Sequence, residues 1–173
     1  MRHAYLILAH RDLPLLEKLL QQLDNPNNHI FIHLDRKSEI APSKIKYTPI
    51  HSKLTFTIRT DVRWGEPSLT RAYITILKDA YNIGNFDWFH FLSGADLPLI
   101  PIAAINEWYE HQIGIHAVID IEEAEEREVR LKYYYFRVNR YFQRILNFIQ
   151  KTTGINRLAK IKKTFPKTFY GSA

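Results

Sequence analysis

Two stretches hold side chains fit for chemistry. In HIFIHLDRKS an apolar run ends in one acid, Asp35, followed at once by two cations, Arg36 and Lys37. A carboxylate so placed can accept hydrogen bonds from a ribose or a base while the cations offset phosphate charge. A solvated strand end accounts for the same three residues. In FDWFHFLSGADLPLIP, residues 86–101, an aromatic run stops at Ser93, Gly94 and Ala95 and then offers a single acid, Asp96, before Pro98 and Pro101. Other chemistries lack their signatures. No GxGxxG follows the first apolar run and no GxxxxGK[ST] occurs anywhere, so the phosphate cradles of dinucleotide and P-loop folds are missing. His3, His10, His29, His33 and His51 show no repeated ligand spacing with a carboxylate, and the acid-x-acid triplets near strand ends are Asp120-Ile121-Glu122 and its neighbours. No catalytic metal is expected from that pattern. Ser93 sits in SGA and not in a GxSxG elbow, which argues against triad hydrolysis.

Both acids need a scaffold that gathers strand ends. HAYLILAH is a continuous apolar run of the kind buried in a parallel sheet. Asp12 can cap the next segment, Pro14 suits an early helical position, and Leu15, Leu16, Leu19, Leu20 and Leu23 recur at helical spacing until Asn25 and Pro26. Residues 29–34 read as a second strand, so the opening is a strand, helix, strand unit with right-handed crossover and parallel pairing as the default. Residues 54–58 give a third strand, and 67–82 a helix with Leu69, Ala72, Tyr73, Ile76, Leu77 and Ala80 on one side. Residues 88–92 then read as a buried central strand, neighbour to 5–9 and 30–34. The spacing predicts a short helix over 102–111, a fifth strand over 115–119, and a basic amphipathic helix around Tyr134, Val138, Tyr141, Ile145 and Phe148. In such a sheet Asp35 and Asp96 both stand at the carboxyl end, where ligands of open α/β sheets bind.

The bulk properties fit one soluble domain over residues 1–173, with an α/β core over 1–120 and a basic helical extension over 121–173. The chain is 46% hydrophobic and 13% aromatic, and 173 residues suffice for a real core. No apolar run approaches ~18 residues, and the opening run breaks at His10, Arg11 and Asp12, so neither a membrane span nor a leader is read. Zero cysteines exclude disulfides and thiolate metal sites and agree with a reducing cytoplasm. The formal charge of +6 is uneven: residues 127–167 are dense in Arg and Lys, whereas Glu122, Glu123, Glu125, Glu126 and Glu128 form an acidic run. An anionic partner follows, whether a phosphate-bearing ligand, a peripheral contact with an anionic membrane surface, or nucleic acid.

Three blocks in order sharpen this. AHRD with its leucine-rich helix and IHLDRKS, then WGEPSLTRAYITILKDA, then FDWFHFLSGADLPL before a short helix, together resemble the core-2/I-branching β-1,6-N-acetylglucosaminyltransferase and peptide O-xylosyltransferase family. FYGSA at the end looks like the start of that family's GS-aromatic block. The resemblance implies a GT-A, Rossmann-like domain and an inverting transfer of a sugar, GlcNAc or xylose, from a UDP-sugar to a hydroxyl of a glycan or protein. It implies no metal and no cofactor beyond the UDP-sugar substrate. The family's uridine contacts land on Leu8, Ala9, His10, Asp35, Arg36 and Lys37, and its third contact falls on residues 58–61, with Asp61 the candidate. Trp64 and Gly65 match the family but are read as structural, the Trp as a packing anchor. Asp96 stands either as a donor contact or as an acid that fixes its own loop. The acceptor contacts fall nearest to Asp120, Arg127 and Arg130. The family's catalytic Glu and its diphosphate-binding Arg and Lys come after the GS-aromatic block. The expectation is therefore a chain truncated at its C-terminus and inactive alone, since no acid occurs over residues 129–173. The alternative is a basic domain that binds an anionic surface or nucleic acid without catalysis. The three blocks favour the transferase, with no nucleic acid as partner.

Overall fold

A computed structural model describes residues 1–112 and, beyond them, Ile145, Ile149 and Thr152. The chain divides into two units, Met1–Gly114 and Ile115–Ala173. The elements of the first are β1 (His3–Ala9), α1 (Leu13–Leu23), β2 (Asn28–Leu34), β3 (Lys53–Phe56), α2 (Pro67–Ile83), β4 (Trp88–Ser93) and α3 (Ile102–Glu110), with a short 3-10 turn at Pro42–Lys44. Among the described residues the strands make one sheet of order β3-β2-β1-β4. All three pairings are parallel, with His3 opposite both Asn28 and Trp88. This is a Rossmann-like α/β fold. The expected strand over 115–119 and the basic helix near 134–148 lie outside the described residues.

Alternation along β1 sends its side chains to two cores. Tyr5, Ile7 and Ala9 join Ile30, Ile32 and Leu34 under Leu16, Leu19, Leu20 and Leu23 of α1. Ala4, Leu6 and Leu8 join Phe31 under Ala72, Ile76 and Ala80 of α2. A helix therefore covers each face, which is why β1 and β2 are uninterrupted apolar runs in which every residue is buried. Asp12 starts α1 as expected, its Oδ1 accepting from Leu15 N at 3.1 Å. Asn106 of α3 is buried between the layers: its Nδ2 donates to Asn28 Oδ1 at 3.1 Å and its Oδ1 accepts from Tyr5 OH at 3.4 Å.

Two readings need correction. β4 is the sheet's edge among the described residues and not a buried centre, and Phe91 is 49% exposed. An apolar run signals burial on two faces only when strands and helices surround it; here β1 holds that place, and Phe91 on the α2 face, half exposed, meets the Tyr73 ring edge-on at 5.6 Å between ring centres. β3 ends at Phe56, with Ile58 75% exposed, because the chain leaves the sheet there to pass over the end of β2.

The link from β2 to β3 is held by two acids of the α1 region. Glu17 Oε1 accepts from the main-chain N–H groups of Lys46 and Tyr47. Asp24 accepts from Tyr47 OH at 2.9 Å and from the N–H groups of Ile50, His51 and Ser52 at 2.8, 2.9 and 2.7 Å. Desolvation pulls the Asp24 carboxyl upward, but the donors from Ser52, Ile50, Tyr47 and His51 outweigh it and hold the group well below the usual carboxylate range. Because the folded value is depressed, the stabilisation is present above 3.8 and fades as pH falls below it. Asp24→Ala is expected to lower unfolding free energy by about 1–2 kcal/mol, a modest figure because water can reach several of the freed donors. Urea denaturation of the variant at pH 7 measures it; an unchanged midpoint would mean the loop holds without Asp24.

Candidate nucleotide site at the carboxyl edge

The connections from β1 run to opposite sides. β2 lies on one flank, whereas α2 returns the chain to β4 on the other, so the gap beyond Ala9 is a topological switch point. Three loops meet there. Asp35 N donates to Ala9 O at 3.0 Å and Gly94 N donates to Leu8 O at 2.8 Å, which ties the exits of β2 and β4 to the end of β1. Gly94 packs directly on β1: a Cβ there would stand 2.6 Å from Ala9 Cβ and 3.1 Å from Ala9 Cα. The SGA sequence is thus a close-approach requirement.

The turn after β2 is a compact polar device. Ser38 N donates to Asp35 O at 2.9 Å, and Asp35 Oδ1 accepts from Lys37 N at 3.0 Å and Val62 N at 3.3 Å. Asp35 Oδ2 faces Lys37 Nζ at 3.8 Å, with the Asp35 side chain 13% exposed. Lys37 Nζ also donates to Val62 O. Arg36 forms a two-pronged pair with Asp61, Nε to Oδ1 at 3.0 Å and Nη2 to Oδ2 at 2.7 Å. That side-chain hydrogen bond is the main cause that lowers the Asp61 carboxyl and raises the Arg36 guanidinium, although both are solvent-facing. Beneath them His33 Nε2 accepts from Thr60 N at 3.2 Å and lies 2.9 Å from Thr60 Oγ1. Burial depresses the His33 ring, against a smaller upward pull from Asp35. The neutral ring is the form that can accept.

The expected residues separate into groups. Asp35, Arg36, Lys37 and Asp61 come together. Leu8 and Ala9 are buried, and their carbonyls are taken by Gly94 and Asp35; His10 is exposed at the mouth. Asp96 Oδ2 accepts from Ser93 N at 2.7 Å, an acid that fixes its own loop. Trp64 is 89% exposed, which corrects its reading as a packing anchor: Gly65, at φ 71°, turns the chain ahead of α2 and leaves the indole outward. Asp120, Arg127 and Arg130 lie outside the described residues. Arg59 and Thr60 fall within the expected 58–61 segment, but only Asp61 is named there from the sequence. An Arg just past a strand is too common to single out, and no residue pattern marks the main-chain carbonyls that Arg59 meets or the His33 ring that Thr60 meets. Among the described residues no three His, Cys, Asp or Glu side chains converge as a metal site, and no helix is long and apolar enough to cross a membrane.

The model of the core-2/I-branching enzyme family matches residues 3–163. The chain belongs to that family. No curated protein matches it. As a core-2/I-branching enzyme it is a member of a glycosyltransferase family, and a sugar donor and an acceptor are implied by that membership. The parallel sheet and its switch point agree with the GT-A type of nucleotide-sugar domain.

Proposed function

We infer that this core-2/I-branching enzyme binds the UDP part of a nucleotide-sugar at the carboxyl edge of β1, β2 and β4. It transfers the sugar, GlcNAc or xylose, to a hydroxyl of a glycan or protein, with inversion and without a metal. One observation carries the reading: Asp35 is fixed by two main-chain donors on Oδ1, which leaves Oδ2 as an oriented acceptor beside the Lys37 ammonium at the switch point. Such an acceptor suits the ribose hydroxyls or the uracil N–H, and the Arg36 and Lys37 charges suit the diphosphate. His10, Asp61 and the main chain at Leu8 and Ala9 frame the same mouth; Asp96 acts there by holding the Ser93 loop. Asp120, Arg127 and Arg130 are assigned to the acceptor. In the transfer the hydroxyl oxygen bonds to the anomeric carbon as the bond to UDP breaks. The hydroxyl proton passes to a base and the electron pair leaves with the diphosphate.

Titration calorimetry with UDP tests the site. Losing a hydrogen bond to a charged acceptor costs ~1.5–3 kcal/mol, so Asp35→Ala should weaken UDP binding roughly tenfold to a hundredfold. Because Oδ1 also serves two main-chain donors, Asp35→Ala loses stability as well. Asp35→Asn keeps an Oδ1 acceptor and removes the charge, so it separates the two effects. Unchanged affinity in both folded variants would remove Asp35 from the site. A salt-dependent gel shift with nucleic acid and no response to UDP would instead favour a basic binding domain.

A further inference from the structure

We propose that Arg59 is a positioning residue that sets the turn at 35–38 for nucleotide binding, acting through the turn's carbonyls without touching the ligand; this rests on the UDP-site reading above. The geometry is specific. Arg59 Nη2 donates to Asp35 O at 2.8 Å and Ser38 O at 2.9 Å, with Arg36 O at 3.3 Å. Three carbonyls aimed at one point repel one another unless a cation sits at the focus, and the guanidinium supplies it. Two of their peptide planes join Asp35 to Arg36 and Arg36 to Lys37, and the third closes the turn at Ser38, so the cation sets how the three charged side chains leave the turn.

Direct contact with a ligand is not Arg59's role. Its Nε is buried and meets no acceptor, so the side chain reaches the carbonyls at the cost of one unmatched donor. That cost has no counterpart in general surface packing; it fits a side chain whose task is the turn. Arg59 also comes from the segment that braces the turn by other routes: Thr60 O accepts from Arg36 N at 3.0 Å, Val62 N reaches Asp35 Oδ1, and Asp61 pairs with Arg36. Those contacts hold the turn's outer side, whereas Arg59 holds its inner, carbonyl side. A Lys at this position has three N–H donors for the same three carbonyls, whereas Gln has no positive charge to set among them.

UDP affinity is measured by calorimetry for Arg59→Gln, Arg59→Lys and Arg59→Gln combined with Asp35→Ala, with melting curves recorded without UDP. Arg59→Gln should weaken UDP about tenfold and Arg59→Lys by less than about threefold. On the Asp35→Ala background Arg59→Gln should add less than about twofold, because a turn without its acceptor gains little from being oriented. A purely structural role would give the same added loss on either background. A folded Arg59→Gln chain with wild-type affinity, or losses that simply multiply, would overturn the assignment. If Arg59→Gln does not fold, Arg59→Lys decides: affinity within threefold supports the role and a tenfold loss overturns it. No UDP binding by the unsubstituted chain would overturn the site reading itself, and this assignment with it.

Discussion

Gly94→Ala is expected to lower the unfolding free energy by about 3 kcal/mol, at the upper end for overpacked sites. The added Cβ would lie 2.6 Å from Ala9 Cβ and 3.1 Å from its Cα, and neither neighbour is a flexible side-chain tip that could swing away. β1 cannot yield either, since it is buried along its whole length between α1 and α2. The loop after β4 must move, which breaks the bond from Gly94 N to Leu8 O at 2.8 Å and carries Ser93 and Asp96 off the switch point. UDP affinity should fall with stability. Urea denaturation supplies the check; a loss below about 0.5 kcal/mol would show that the loop relaxes freely.

Acid should destabilise the chain well above the range in which carboxylates titrate. Burial, with a smaller push from His3, depresses the His90 ring from 6.5 to about 4. Burial, then the charges of Lys53 and Arg2, takes His29 to about 4 as well. His3 and His33 are lowered too, both chiefly by burial. The folded chain thus keeps these rings neutral, whereas the unfolded chain takes up their protons near 6.5. The stabilisation is whole above that value and drains away as pH falls toward 4. For His90 the displacement corresponds to on the order of 3 kcal/mol, with the other rings adding in the same direction. Geometry explains the sensitivity: His3 Nδ1 and His90 Nε2 are 3.0 Å apart, a distance that suits one donor and one acceptor and sets two cations against each other. Tyr5 stacks on His90 at 4.4 Å, and Tyr109 meets it edge-on at 4.9 Å, which leaves little room for water. Urea midpoints at pH 7, 5.5 and 4.5 should fall in that order, less steeply in His90→Phe. Equal midpoints at all three would refute the account.

Much of the architecture was legible because burial writes itself into runs and spacings. The unbroken apolar stretches of β1 and β2 require two covered faces, and the leucines of α1 supply one cover. β4 shows the limit of that logic: Phe89 and Phe91 read as core, yet the run cannot say whether a strand stands beyond it. Trp64 shows the same limit, since an aromatic ahead of a helix carries no mark of which way Gly65 turns it. At the site, the acid and two cations of 35–37 stood out because three charged side chains in succession follow an unbroken apolar run. Arg59 did not, because its partners are carbonyls brought near by the register of β2 and β3. Asp96 stood out as a lone acid after small residues, but its bond to Ser93 N follows from the loop's path and not from any residue pattern.

The strand order also sets a timetable. His3 pairs with Asn28 across 25 positions but with Trp88 across 85, and closing the longer loop costs about 1 kcal/mol more in chain entropy. On a ribosome adding about 5–20 residues per second, β4 emerges roughly 3–12 s after β2 is complete. Through that interval the β1 edge that β4 will cover offers a row of unpaired amide and carbonyl groups beside Leu6 and Leu8. The nascent chain therefore carries its most adhesive edge at its most valuable strand, and the arrival of WFHFLS is the event that retires it.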